Sequence, residues 1–316
     1  MSNNGELHVV FGASGGTGNA VVRELVAQSK RVRAVNRSGR ADVPAGVQTV
    51  KGDATDLAST REACWGASVV YHCVNVPYGE WHRQLMPMMN HLIDAAATTE
   101  AKLVYADNLY AYGKPTGALR EDMPYHPVGR KGELRAQVAN TLMQAHQGGT
   151  VRAAIGRASD FFGPRATSIA GNVVWRPLLT GKKAMWIGNL DMPHTLSFLP
   201  DVARGLMTLG EREEALGQVW HIPTDVPLTG RQYLQMINEE AGSKPNFGVY
   251  TRPVLRIVAL FSPMVREVLE ELYQFEAPFV MDSSKFTRAF GGNFTPHRDA
   301  IKQTVIWYRQ HGAGHL

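Results

Sequence analysis

Three glycines near the start of the chain, Gly12, Gly15 and Gly18, stand at G-x-x-G-x-x-G spacing within Gly12-Ala13-Ser14-Gly15-Gly16-Thr17-Gly18. A glycine in the first position lets the chain turn sharply out of a strand. The second lets the backbone approach a diphosphate, and the third lets the next helix lie close to the strand. Ser14, Gly16 and Thr17 complete the loop. A helix beginning behind it offers unpaired N–H groups and the positive end of its dipole to an anion. The chemistry is therefore dinucleotide binding, on condition that a strand precedes the loop and a helix follows it. Leu7 to Phe11 is an apolar run of strand length, and Ala20, Val21, Val22, Leu25 and Val26 follow at helical spacing.

The end of the second strand, Val32 to Asn36, bears on which dinucleotide fits. An acid there bonds a ribose 2′-hydroxyl, whereas a base accommodates a 2′-phosphate. Asn36 is followed by Arg37 and Ser38, then Arg40, and no acid occurs before Asp42. A guanidinium can grip a phosphate bidentately where a carboxylate would repel it. Arg37, with Ser38 beside it, therefore favours NADP(H) over NAD(H). Asp53 and Ala54 lie where such folds contact the adenine, although either Asp53 or Asp56 could instead cap the helix that follows.

These residues need a frame, and the pattern supplies one. Short apolar runs at 47–50, 68–74, 102–106 and 151–155 alternate with helical spacing at 57–65, 80–97 and 131–146. That alternation calls for a parallel, doubly wound α/β sheet. The expected division is a dinucleotide-binding domain over 1–160 and a mainly helical, substrate-binding portion over 161–316. Segments near 195–223 are expected to rejoin the sheet. In the second portion, Thr229 and Gln232 fit a capping box and Gly242 a helix stop.

Composition narrows the function classes. The 316 residues are 44% hydrophobic, enough for a sizeable core, and the net charge of +5 is modest. No Lys/Arg run alternates with aromatics, so nucleic acid is not an expected partner. Cys64 and Cys73 make neither a disulfide framework nor a Cys-rich metal site, and the eleven histidines show no ligand spacing, so no metal is expected. The polar start, Met1 to Glu6, does not read as a signal peptide. The longest apolar candidate, Val254 to Met264, is too short for a membrane span and is broken by Arg256 and Pro263. A cytoplasmic protein with a small-molecule substrate and no membrane partner is expected.

With these residues in place, the chain resembles the short-chain dehydrogenase/reductase superfamily, and within it the extended NAD-dependent epimerase/dehydratase branch. The resemblance runs over nearly the whole chain. It rests on the glycine loop, Gly52-Asp53-Ala54-Thr55-Asp56, Tyr110-Ala111-Tyr112-Gly113, Arg157-Ala158-Ser159-Asp160-Phe161-Phe162-Gly163-Pro164 and Phe198-Leu199-Pro200-Asp201-Val202-Ala203. It implies cofactor contacts from Val74 and Asn75 after the fourth strand and Ser159 after the sixth. It also implies a homodimer through the helices at 80–97 and 131–146.

The resemblance further implies a Ser or Thr after the fifth strand, and a Tyr-x-x-x-Lys on the next helix as proton donor and ribose-binding cation. Here Asn108 takes the hydroxyl position, Lys131 that of the Tyr and Arg135 that of the Lys. Lys131 is expected to face the nicotinamide end, as an acid with a lowered pKa or as a ribose contact. Asn108 would donate an N–H to a carbonyl. Tyr110, Tyr112, Asp160 and His194 are further acid candidates, and Trp81, Phe161, Phe162, Trp175 and Trp186 could line the cleft. The expected function is an NADP(H)-dependent oxidoreductase or epimerase acting on a carbonyl or alcohol carbon with an altered proton donor. The alternative is a non-catalytic NADP(H) sensor of the NmrA-like type, which the missing Tyr-x-x-x-Lys would suit.

Overall fold

A computed structural model describes residues 5–166 and 171–311. Residues 1–4, part of the polar start noted above, lie outside it. In chain order the first half runs β1 (Leu7–Phe11), α1 (Gly16–Ala27), β2 (Arg31–Asn36), β3 (Gln48–Lys51), α2 (Leu57–Cys64), β4 (Val69–His72), α3 (Trp81–Thr98), β5 (Lys102–Asp107), α4 (Arg130–Gln147) and β6 (Arg152–Arg157). The second half runs β7 (Asp160–Phe162), α5 (Arg176–Leu179), β8 (Ala184–Ile187), β9 (Pro193–His194), β10 (Leu196–Phe198), α6 (Leu199–Glu211), β11 (Val219–His221), β12 (Leu228–Thr229), α7 (Gly230–Ala241), β13 (Phe247–Tyr250), α8 (Arg252–Ala259), α9 (Pro263–Glu270), α10 (Ser284–Phe290) and α11 (His297–His311).

Seven strands form one parallel sheet in the order β3-β2-β1-β4-β5-β6-β11. The strand order reverses between β1 and β4, and in open parallel sheets the crevice beyond the carboxyl ends at such a point binds ligands. The interior strands are buried on both faces, which is why they read as unbroken apolar runs rather than alternating ones. One layer, with α3 and α4, packs through Leu85, Met88, Leu92, Val138 and Leu142. The other, with α1 and α6, packs through Val21, Leu25, Val202 and Leu206.

The return of the chain to the sheet is split. Trp220 lies in β11, which pairs with β6, so that segment joins the main sheet. Ser197 lies in β10, which pairs with β7 in a separate two-stranded sheet above the carboxyl ends. The expected return near Ser197 thus reaches the cleft wall and not the sheet. Ser197 Oγ accepts the Ser159 backbone N–H at 3.0 Å, tying the two segments together. The second portion has its own core around Trp175, Tyr233, Leu234 and Ile301. Thr229 and Gln232 form the capping box, and Gly242 ends α7 at φ +65°. No helix among the described residues is long and apolar enough to cross a membrane.

Candidate active site

A single cleft of about 650 Å³ runs from the glycine loop to the second portion. At its first end Gly12 adopts φ +83°, and a Cβ there would come within 2.6 Å of the Cys73 carbonyl oxygen. A Cβ on Gly18 would lie 2.3 Å from the Gly12 oxygen. Gly18 is not on the cleft wall; its role is to let α1 pack on the loop. No side chain caps α1 and its first turn carries no acid, so its free N–H groups face the loop unopposed. The Ser159 hydroxyl, on the cleft wall, is buried without a hydrogen-bond partner. An uncapped helix behind a glycine cradle and an orphaned hydroxyl further along fit a dinucleotide laid across the switch point.

At the adenosine edge, the buried Asn36 side chain accepts from the Ser38 N–H (3.0 Å) and Oγ–H (2.9 Å) and donates to the Arg40 carbonyl (2.8 Å). This closes a tight turn that sets Arg37 on the cleft wall and keeps Ser38 off it, the Ser38 hydroxyl being held by Asn36 and Arg40. The two candidate caps after β3 separate. Asp56 caps α2 through the Ser59 N–H at 2.7 Å, whereas Asp53 lines the cleft with Ala54. The Thr55 backbone N–H and hydroxyl, together with Arg37, hold the Asp53 carboxyl below the usual range. Val74 and Asn75 line the cleft where the chain leaves β4.

Beyond the switch point Asn108, Tyr110 and Arg135 share the cleft wall. Asn108 Oδ1 accepts the Tyr110 N–H at 3.1 Å, which leaves the Nδ2 donors for a ligand. The Tyr110 hydroxyl is 3.1 Å from that of Tyr78, and burial raises the pKa of both. A Cβ on Gly132 would meet the Tyr110 carbonyl at 2.7 Å, so α4 can sit this close only because residue 132 is glycine. Arg135 is buried against the Trp81 ring at 4.2 Å and donates to the Tyr105 hydroxyl and, at 3.3 Å, to Asn75 Oδ1. Burial alone would lower its pKa, but Tyr105 and Asp107 outweigh that, and the net shift is upward. Asp107 is in turn held at 2.9 Å by Arg157, itself stacked between Tyr112 and Tyr125.

With the geometry in place, comparison with known proteins is direct. Residues 8–222 match the NAD dependent epimerase/dehydratase family. The chain belongs to that family. It is an enzyme of the short-chain dehydrogenase/reductase type with a nicotinamide dinucleotide as its cofactor. Sterol demethylase protein B of Methylococcus capsulatus is 25% identical over 330 positions, covering 96% of this chain and 98% of that protein. The fold is shared with UDP-N-acetylglucosamine 4-epimerase of Methanobrevibacter ruminantium, solved with UDP-N-acetylmuramic acid (TM-score 0.81, 14% identity, 98% of this chain and 100% of that one). It is shared also with UDP-glucuronic acid 4-epimerase of Bacillus cereus, solved with its UDP-sugar and NAD (TM-score 0.79, 16% identity, 96% and 99%).

Of the residues expected at the nicotinamide end, one lies elsewhere. Lys131 does not line the cleft. Its ammonium is drawn to α9, 2.6 Å from Glu267 and 2.7 Å from Glu270, and lies 5.2 Å from the Tyr78 ring centroid. Burial alone would lower its pKa, but the two carboxylates reverse the sign and raise it, opposite to the fall expected of an acid. Glu270 also accepts the Lys131 backbone N–H at 2.8 Å and so caps α4, whose N-cap is the side-chain-free Gly129.

Of the other acid candidates, Tyr112 is buried against His221 at 2.9 Å. Asp160 lines the cleft, paired with His194 at 2.6 Å. Trp81, Phe161 and Trp186 line it too, whereas Phe162 and Trp175 stack in the core. Tyr78, Glu271 and Gln274 also line the cleft, at positions that no sequence motif marks. Glu271 is a buried carboxyl on the cleft wall, pushed up to about 7 by burial, and it accepts from Gln274 Nε2 at 3.0 Å. No motif marks it, because it lies far along the chain from the sheet that frames the cleft.

Proposed function

We propose that this protein is an NADP(H)-dependent oxidoreductase that acts on the carbonyl or alcohol carbon of a small apolar molecule, with Tyr110 as its altered proton donor. The observation that carries the reading is the Tyr110–Tyr78 hydroxyl pair, on one cleft wall with Asn108 and Arg135 and continuous with the glycine loop. The bound dinucleotide supplies hydride at its nicotinamide end. Asn108 Nδ2 donates to the substrate oxygen and favours the charge that develops on it. Tyr110 hands that oxygen a proton and recovers one from Tyr78, which is half-buried and regains its own from solvent. Burial holds Tyr110 in its protonated form, the form that reduction consumes, while making it a weaker acid than a free tyrosine. Arg135, fixed against Trp81, takes the place of the family's lysine beside the ribose.

Two features support the finer parts of this reading. Arg37, on the wall without an acid beside it in sequence, supports the 2′-phosphate and therefore NADP(H). The far half of the cleft is lined by Val173, Trp186, Ile187, Leu196, Phe275 and Phe279, and among the described lining residues its cation is Arg135 alone. A diphosphate-linked sugar needs more positive charge than that, whereas an apolar ring system of the kind named in the sterol demethylase relative fits such walls.

The test is NADPH consumption against a panel of apolar ketones. Turnover is expected, and Tyr110→Phe should reduce it by about two to four decades, the range for a general acid, with NADPH affinity within a few fold. Binding without consumption across the panel would favour the sensor. In calorimetry NADPH should bind more tightly than NADH, and Arg37→Asp should remove or reverse that preference by about 2–3 kcal/mol. Equal affinity for the two in the native protein would remove the NADP assignment.

A further inference from the structure

Helices α8 and α9 form a hairpin whose outer face has no partner among the described residues. Ile257, Leu260, Phe261 and Met264 are 63%, 72%, 85% and 70% exposed, and Val254 and Val258 flank them. Exposed large apolar side chains scattered singly are ordinary; a contiguous group at one tip marks an interaction surface. The hairpin is not loosely attached. Leu255 and Val268 are buried with Ile187 and Leu272, Ala259 is buried as well, and Ser262 caps α9. The apolar tip is thus held outward by a packed inner face.

The charge around the tip is of one sign. From Thr251 to Arg266 the chain carries Arg252, Arg256 and Arg266 and neither Asp nor Glu, and the acids that follow at the far end of α9, Glu267 and Glu270, are paired with Lys131. Arg256 and Arg266 are exposed, and Arg266 braces the hairpin by donating to the Ala259 carbonyl at 2.9 Å. Arg252 is held by Glu276. A short amphipathic helix with large apolar residues on one side and arginines on the other lies in the plane of an anionic membrane surface. Pairing two copies of this tip would instead bring two sets of arginines together. The hairpin's inner face is also part of the cleft wall, through Val268, next to Ile187 and Phe275.

We infer that the α8–α9 hairpin docks the protein on a lipid bilayer with anionic headgroups, placing the apolar half of the cleft next to the membrane surface. This departs from the expectation of no membrane partner, which rested on the lack of a spanning segment; interfacial docking needs none.

The test is co-sedimentation of the full chain with vesicles of phosphatidylcholine, with and without about a third phosphatidylglycerol. Binding is expected to the anionic vesicles, and more weakly to the neutral ones. Leu260→Glu combined with Phe261→Glu should reduce binding at least about tenfold. Both side chains are exposed, so unchanged NADPH affinity serves as the check on folding. Arg256→Gln should weaken binding to anionic vesicles about threefold or more and leave binding to neutral ones unchanged. Failure of the native chain to sediment with either vesicle overturns the inference, as does binding that the double substitution leaves intact. Light scattering that shows a dimer abolished by the double substitution, with no vesicle binding, would assign the face to a second copy instead.

Discussion

The two ends of the cleft are built in different ways. At the glycine loop the decisive contacts are made mostly by backbone: Gly12 against Cys73, Gly18 against Gly12, the Gly15 N–H on the Gly12 carbonyl, and Asn36 around Ser38 and Arg40. At the α4 end they are side-chain contacts between distant segments. Lys131 meets Glu270 across 139 positions, and Arg157 meets Asp107 across 50. A site made of backbone tolerates almost no change of residue, because a carbonyl cannot step aside. A site made of paired side chains can exchange its members, which is how a lysine expected at the nicotinamide end can serve as a strut between helices.

Gly18→Ala is the most severe way to probe this contrast. Its methyl would fall against the Gly12 backbone, so α1 would have to leave the loop. A loss of about 3 kcal/mol or more is expected, at the upper end for overpacking, and cofactor affinity should fall with it. Retained NADPH affinity in calorimetry, with unchanged stability, would show that the loop end is as forgiving as the other.

The α4 end should instead respond to pH. Burial raises the Glu271 carboxyl from the ordinary 4.5 to about 7. Between those values the folded state keeps a proton that the unfolded state has released. Its contribution to stability is therefore complete below 4.5 and is lost as pH rises through 7. Glu271→Gln stays neutral throughout. It should match the native protein at pH 4 and exceed it at pH 8 by up to about 3 kcal/mol, the free energy of a shift of that size. Denaturant midpoints that run in parallel for the two proteins across this range would contradict the burial-driven shift.

Lys131→Met gives the smallest expected effect and the sharpest reading. As a strut between α4 and α9, Lys131 should cost about 1–2 kcal/mol of stability when lost, since Glu267 and Glu270 remain partly solvated. The rate of the chemical step should stay within a few fold. A drop of two decades or more in single-turnover rate would return Lys131 to the role of general acid.

The legibility of the sequence follows the same division. The first six strands and the capping box at Thr229 lie where apolar runs and cap residues placed them, with ends shifted by up to two residues, whereas the short strands β7–β10, β12 and β13 lie outside those runs. On α3 and α4 no large apolar side chain is among the exposed ones, and Met86, Leu134 and Met143 are partly buried against the core. Asn108 and Arg135 could be placed on the cleft by counting from neighbouring motifs, and both line it. Lys131 could not, because helical spacing puts residues 131 and 135 on one side of α4 without saying what each will meet. The carboxylates of Glu267 and Glu270 decided that.

By itself, then, the sequence determined the parallel sheet, the glycine loop at its switch point and the turn that presents Arg37. Each depends on backbone conformation and on residues a few positions apart, where spacing is geometry. Only the tertiary structure decided that Tyr110 pairs with Tyr78, that Glu271 is buried on the cleft wall, that Lys131 points to α9 and that the apolar stretch at 254–264 turns outward. Those outcomes depend on which distant side chains share a low-dielectric space, and burial and charge pairing at that range leave no periodic trace in the chain.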